Sequence, residues 1–161
     1  MVKISLQIKA TLENIEELKP SGPEFRWYLK FTCNSCGEVS QKWNYVSSDN
    51  YTPSIPNRNS VHHLTIKCKL CSRENSTTII ENSIKSYTAE DLGKFKEIVT
   101  FDCRGITPND FSPREGWIVK TSDGGKEFRD VDLSEGEWVE YCDKTNKAVG
   151  IYEIESNFER I

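Results

Sequence analysis

"VKISLQIKATL", residues 2–12, places Val2, Ile4, Leu6 and Ile8 at period two, with Lys3, Ser5, Gln7 and Lys9 between them. Alternation of that kind is a strand with one face on a core and one in water. The same texture recurs outward along the chain. "FRWYLKFTC", "EVSQKWNYV", "HHLTIKC", "STTIIENSI", "KEIVTFDCRGI", "GWIVKTS", "EWVEYCD" and "AVGIYEIESNF" are short, rich in β-branched and aromatic residues, and bounded by turn residues. Helical signals are few. "TLENIEELKP" is compatible with a turn or two before Pro20, and "TAEDLGKFKE" opens a short helix at Thr88 that Gly93 interrupts. The stretch from Ser47 to Ser60, "SSDNYTPSIPNRNS", is expected to be a long loop.

The chain has 161 residues, enough for one ordinary core, and seven Phe, six Tyr and four Trp to fill it. Its net charge of −4 disfavours a broad basic face for nucleic acid, although Lys67, Lys69 and Arg73 cluster locally. No apolar run approaches the ~18 residues of a membrane span, and the N-terminus has no secretory apolar core. The expectation is therefore a cytoplasmic protein, with the nucleus as the alternative, and a monomer. Thiols stay reduced in those compartments.

A faint internal repeat can be drawn as well, against the alternative that any two antiparallel β segments look alike at this level. "QIKATLENIEELKPSGPEFRWYLKFTCNSCGE" and "EIVTFDCRGITPNDFSPREGWIVKTSDGGKE" each run from an alternating strand through Asn-Ile or Gly-Ile and a Pro-containing connection to an aromatic strand. "IKCKLCSRENSTTIIENSI" likewise overlays "EYCDKTNKAVGIYEIESNF". On that overlay Asp123 and Lys126 stand for Cys33 and Cys36, and Asp143 and Asn146 for Cys68 and Cys71. The second copy would be a degenerate, metal-free version of the first. The expected fold is mainly β: two similar antiparallel halves, sandwich-like or half-barrel-like, sharing one core within a single domain. The expected boundaries are 1–88, holding a four-cysteine zinc site, and 89–161, holding none.

Two C-x-x-C pairs, Cys33–Cys36 and Cys68–Cys71, carry the chemistry. Zinc bound by four thiolates at ~2.3 Å needs sulfurs roughly 3.8 Å apart, a separation that a C-x-x-C turn supplies. Gly37 permits such a turn, and Lys67, Lys69 and Arg73 can offset the net −2 of four thiolates on a divalent ion. The pairs are separated by 31 residues, longer than the ~15–20 of a compact zinc ribbon, but closure entropy grows slowly with length. A thioredoxin-like couple needs a helix N-terminus in a βαβ setting, which neither pair has. Two disulfides would suit a secreted chain. The spacing favours one closed site with one Zn2+ per chain, and four sulfur donors leave no open position for catalysis.

His62 and His63 fit strand positions better than ligand positions, and no Glu follows in the H-x-E spacing of zinc deaminases. Cys103 alternates with Val99 and Phe101 and reads as a core thiol, whereas Cys142 could be buried or exposed. "SDGGKE" lacks the phosphate-loop frame, and no nucleophile elbow is present, so the chain reads as a non-enzyme. "EFRWYLKF" interleaves basic and aromatic residues, as nucleic-acid-binding sheets do, but a half-buried strand produces the same pattern.

The phrases "LQIKATLENI", "FRWYLKFTCNSCGE", "KCKLCSRENS", "FDCRGITPNDFSP" and "VGIYEI" together resemble the eukaryotic CXXC-motif-containing zinc-binding protein family, over essentially the whole chain. The resemblance implies a small, mostly β, cytosolic protein that binds one zinc through Cys33, Cys36, Cys68 and Cys71. It implies no enzymatic activity. The expected role is an adaptor that presents a surface to a protein partner. The alternatives are metal or thiol handling through exchangeable knuckle thiolates and, third, nucleic-acid binding.

Overall fold

A computed structural model describes residues 2–49, 52–53, 61–122 and 126–161. The N-terminal alternation becomes β1 (Val2–Glu13), followed by β2 (Ile15–Pro20), β3 (Trp27–Cys33), β4 (Asn44–Val46), β5 (Thr52–Pro53), β6 (Val61–His62), β7 (Leu64–Lys67), β8 (Glu74–Ile79) and β9 (Tyr87–Thr88). The second half supplies β10 (Lys96–Arg104), β11 (Ile106–Ser112), β12 (Trp117–Thr121), β13 (Glu127–Val131), β14 (Trp138–Cys142) and β15 (Lys147–Arg160). Among the described residues the helical content is one 3-10 turn, Ala89–Asp91. It starts where expected. The Asp91 carboxylate accepts from the Thr88 N–H and hydroxyl, and Gly93 closes the turn at φ +79°. No helix among the described residues is long and apolar enough to cross a membrane.

The expected helical turn before Pro20 is instead β2. Ile15, Leu18 and Pro20 are buried and Glu16 is exposed, and the strand pairs with β12 from Ile15↔Thr121 to Pro20↔Trp117. Asn14, at φ +53°, is the cause: it turns the chain out of one sheet and into another, and tertiary pairing outweighs the helix formers Glu16, Glu17 and Leu18. "EVSQKWNYV" yields strand only at Asn44–Val46, with a single bridge from Val39 to Thr32. Of the expected Ser47–Ser60 loop, residues 50–51 and 54–60 lie outside the described residues.

All pairing is antiparallel. One sheet runs β14-β15-β1-β10-β8-β7, a second β11-β3-β4, a third β13-β12-β2-β9, and β5 pairs with β6. Exchanging β1 with β10, β7 with β14 and β8 with β15 leaves the six-stranded order unchanged. Exchanging β2, β3 and β4 with β11, β12 and β13 turns the second sheet into the first three strands of the third. The chain leaves the large sheet twice in the same way, at Asn14 between β1 and β2 and at Gly105 (φ +79°) between β10 and β11.

The inner faces enclose one core. Trp27 is its hub: its ring lies 4.6 Å from Phe25, 6.1 Å from Trp117 and 6.4 Å from Phe101. Each such ring removes on the order of 150–250 Å² from water, so this cluster dominates the burial term. Along β3, Trp27, Leu29, Phe31 and Cys33 face inward while Tyr28, Lys30 and Thr32 face outward. Cys33 is thus the last inward position of a core strand, and its sulfur is aimed by the same alternation that buries Trp27.

Candidate metal centre

Each cysteine pair occupies a turn of the same design. The Cys33 N–H donates to the Glu38 carbonyl (2.8 Å), and the Cys68 N–H donates to the Arg73 carbonyl (2.9 Å). Inside them Gly37 N–H donates back to Cys33 O and Ser72 N–H to Cys68 O. Both turns require a left-handed residue after the second cysteine. Gly37 (φ +78°) meets that requirement without strain, and Ser72 (φ +65°) meets it at some cost.

The turns end strands of different sheets, β3 and β7, and meet sulfur to sulfur. Cys33 Sγ lies 3.7 Å from Cys71 Sγ and Cys36 Sγ 3.6 Å from Cys68 Sγ, and all four sulfurs fall within 4.8 Å of one another. A tetrahedron of thiolates around zinc has edges of roughly 3.8 Å, so the donor set fits one such ion with every position filled by sulfur. Cys33 and Cys68 are buried, whereas Cys36 and Cys71 are exposed.

Backbone amides favour thiolate in this pocket. The Cys36 N–H brings the Cys33 thiol down to about 6, with a smaller contribution from Ser35, against the opposing effect of burial. Cys68 is lowered by the N–H groups of Cys71 and then Leu70. At Cys36 the Glu38 N–H pulls the same way, but burial and the three neighbouring sulfurs win and push the thiol up to about 12. Without a cation the crowding of the sulfurs therefore opposes loss of the last proton from the cluster. A divalent ion displaces that proton, because all four sulfurs must be thiolates to coordinate.

Arg73 bridges the two turns, its Nη1 donating to Ser35 Oγ at 2.7 Å. Lys67 and Lys69 flank the second turn and are exposed. Asn75, which carries no signal in the sequence, is 2% exposed, and its Nδ2 lies 3.7 Å from Cys33 Sγ. Its Oδ1 has no hydrogen-bond partner and packs over Gly105, where an added Cβ would meet it well inside van der Waals contact. An amide donor on a ligating sulfur disperses its charge and fixes its orientation. The Ile79 N–H donates to His63 Nδ1 at 2.8 Å, which takes that nitrogen out of any ligand role. Cys103 is a core thiol, 2.9 Å from Thr77 Oγ1 and pushed up to about 11 by burial.

The second half carries two turns of the same length. Thr121 N–H donates to Lys126 O as Cys33 N–H does to Glu38 O, and Ser122 N–H donates to Asn14 O as Asn34 N–H does to Gly105 O. Cys142 pairs with Lys147, enclosing as many residues as the Cys68–Arg73 turn, and Asn146 (φ +55°) stands where Ser72 does. By register, then, Thr121 occupies the place of Cys33, Cys142 that of Cys68 and Thr145 that of Cys71. The overlay that put Asp143 and Asn146 opposite the second pair is one residue out, and Lys126 corresponds to Glu38 rather than Cys36. Asp123 lies outside the described residues. Asp143 and Lys126 are exposed, whereas Thr121 and Cys142 are buried, with Oγ1 4.0 Å from Sγ. The Thr145 hydroxyl, and then the Thr145, Lys144 and Lys126 N–H groups, bring the Cys142 thiol down to about 7 against burial.

Two matched turns closing four sulfurs between two antiparallel sheets define a β protein of the four-cysteine zinc-knuckle kind. The chain belongs to the eukaryotic family of CXXC motif containing zinc binding proteins, whose family model matches residues 5–159. It is 46% identical to the UPF0587 protein CG4646 of Drosophila melanogaster, over 100% of this chain and 99% of that one. It is 48% identical to the CXXC motif containing zinc binding protein of Bos taurus, over 98% of both chains. The crystal structure of C1orf123 has the same fold, with a TM-score of 0.93 and 45% identity over 99% of each chain.

Proposed function

We propose that the protein is a non-catalytic adaptor whose Cys33, Cys36, Cys68 and Cys71 hold one structural Zn2+, so that a rigid β surface is presented to a protein partner. The observation that supports this reading most directly is the closed sulfur set: four donors within 4.8 Å of one another leave no coordination position for water or substrate. The family name, which is that of a zinc-binding protein and not of an enzyme, agrees with it. When bound, the ion would supply cross-linking between β3 and β7, and hence between two sheets. We further propose a single domain of two related halves, 1–88 and 89–161, acting as a monomer in the cytoplasm or nucleus. Capture of partners from cell extract by the zinc-loaded protein tests the adaptor role. A partner lost when the zinc is chelated supports it, and no specific partner under either condition contradicts it.

One observation favours a second reading. Cys36 and Cys71 are exposed, so an incoming thiol could reach half of the site. If the protein hands on its metal, a mild chelator will strip zinc while the fold stays intact.

A further inference from the structure

The outward face of β3, with the residue just before it, carries what the core face does not: Arg26, Tyr28 and Lys30 at alternate positions. Tyr28 pairs directly with Tyr45 of β4, their rings 5.9 Å apart. Cations cover these rings. Arg114 sits 4.0 Å from the Tyr28 ring, Arg26 4.5 Å from Tyr45, and Lys30 4.7 Å from Trp43. All three rings are half-buried, so the face is a fixed shelf and not a set of loose side chains. Lys42 is exposed beside Trp43. Among the described residues none of Arg26, Lys30, Lys42 and Arg114 has a carboxylate oxygen within 4.0 Å, although Asp110 stands opposite Lys30 in register, Asp49 acts on Arg26 from further away, and Glu24, Glu115 and Asp130 line a cavity beside Arg26 and Tyr28. The face thus gathers four cations on or beside one small sheet of a chain whose net charge is −4.

We propose that this face, built from Arg26, Tyr28, Lys30, Trp43, Tyr45 and Arg114, is the docking surface for an acidic, extended segment of a partner protein. The proposal rests on the adaptor reading above and names its surface and the chemistry of its partner. A guanidinium held over a ring spends its face on the ring; the Arg114 Nε–H is given to Ser112 Oγ at 3.3 Å, so it is the terminal N–H groups that can meet a carboxylate. Because the rings hold the cations in place, less side-chain entropy is lost on binding. The alternate positions of β3 repeat at roughly 7 Å, the same spacing as alternate side chains of an extended acidic peptide. A single-stranded nucleic acid would need open ring faces for its bases, and those faces are taken by Arg26, Arg114 and Lys30.

The test uses full-length, zinc-loaded protein and a fluorescein-labelled hexaglutamate, with hexaglutamine as control, read by fluorescence anisotropy. The expected result is saturable binding of hexaglutamate only, weakened by raising salt to about 150 mM. Arg26→Glu with Arg114→Glu should lower the affinity at least about tenfold, while thermal midpoint and zinc content stay at the wild-type values. Lysine at both positions should restore only part of it. If the double reversal does not fold, Lys30→Glu with Lys42→Glu reads the same face. Absence of saturable binding, equal affinity in the reversed variants, or tighter binding of octauridylate RNA would overturn the proposal. Retention of a captured partner by R26E/R114E would overturn this surface and leave the adaptor reading standing. Failure of the wild-type protein to capture any partner would remove that reading without affecting the peptide measurement.

Discussion

Cys33 Sγ lies 3.7 Å from Cys71 Sγ although 38 positions separate them in the chain. Cys33 ends a strand of the three-stranded sheet and Cys71 follows the edge strand of the six-stranded one, so their meeting closes the gap between sheets. Inward alternation aims Cys33, and the left-handed residues Gly37 and Ser72 fold each turn back on its strand. A metal there joins two strands that are not paired with each other in a sheet and are otherwise linked by the side-chain bonds of Arg73 to Ser35 and Asn75 to Cys33. Its binding energy is therefore folding energy, on the order of 10–16 kcal/mol for structural zinc in small peptides at neutral pH.

Asn75→Leu removes the amide donor from Cys33 Sγ while filling the same space. Zinc affinity should fall about tenfold, the lower end of what outer-sphere partners contribute. Chelator competition measures the affinity. Cobalt substitution gives a second readout, because the sulfur-to-metal charge-transfer band should shift when one thiolate loses its donor. Unchanged affinity together with an unchanged band would show that Asn75 only packs.

Gly105→Ala places a methyl against Asn75 Oδ1 at a residue with φ +79°. The backbone contribution alone is about 1–3 kcal/mol of destabilisation, measured by urea unfolding. Combined with Asn75→Ala, the clash disappears and only the backbone contribution remains. The double variant should then be more stable than the sum of the two singles predicts.

Cys142 makes stability pH-dependent above neutrality. Its thiol is held near 7 in the fold, by the Thr145 hydroxyl first and then by backbone N–H groups, against 9.0 in an unstructured chain. A depressed value means that its contribution is complete above about 9 and is lost as pH falls through about 7. The thermal midpoint of the zinc-loaded protein, compared with that of Cys142→Ala, should show a gap that widens from pH 7 to pH 9. A gap independent of pH would mean that Cys142 stays a thiol throughout.

Much of this was legible in the sequence, for physical reasons that also mark where reading failed. Period-two patterning identifies β1 because Val2 to Ile8 is long and strictly alternating, and cysteine spacing identifies the metal centre because two sulfurs at C-x-x-C spacing already match one tetrahedral edge. Residues 14–20 misled because Ile15 and Leu18 are three apart, which suits a helix, while the decisive feature is the left-handed corner at Asn14. In the second half the turns are recognisable, but their register is easily misread by one residue. A one-residue slip swaps buried Cys142 for exposed Asp143; "IKCKLC" laid directly over "EYCDKT" sets Cys142 opposite Cys68, and strand pairing has the same register. Asn75 was invisible. Nothing in "RENSTTI" says that one amide points at a sulfur contributed by another sheet.

Whether one zinc held by Cys33, Cys36, Cys68 and Cys71 cross-links the two sheets is decided by metal content and circular dichroism on the same sample during chelation. The expected result is about one zinc per chain, and loss of cooperative β structure in step with zinc release. Protein that is folded with essentially no zinc, or that keeps its full β signal and thermal midpoint after the metal has gone, would contradict it.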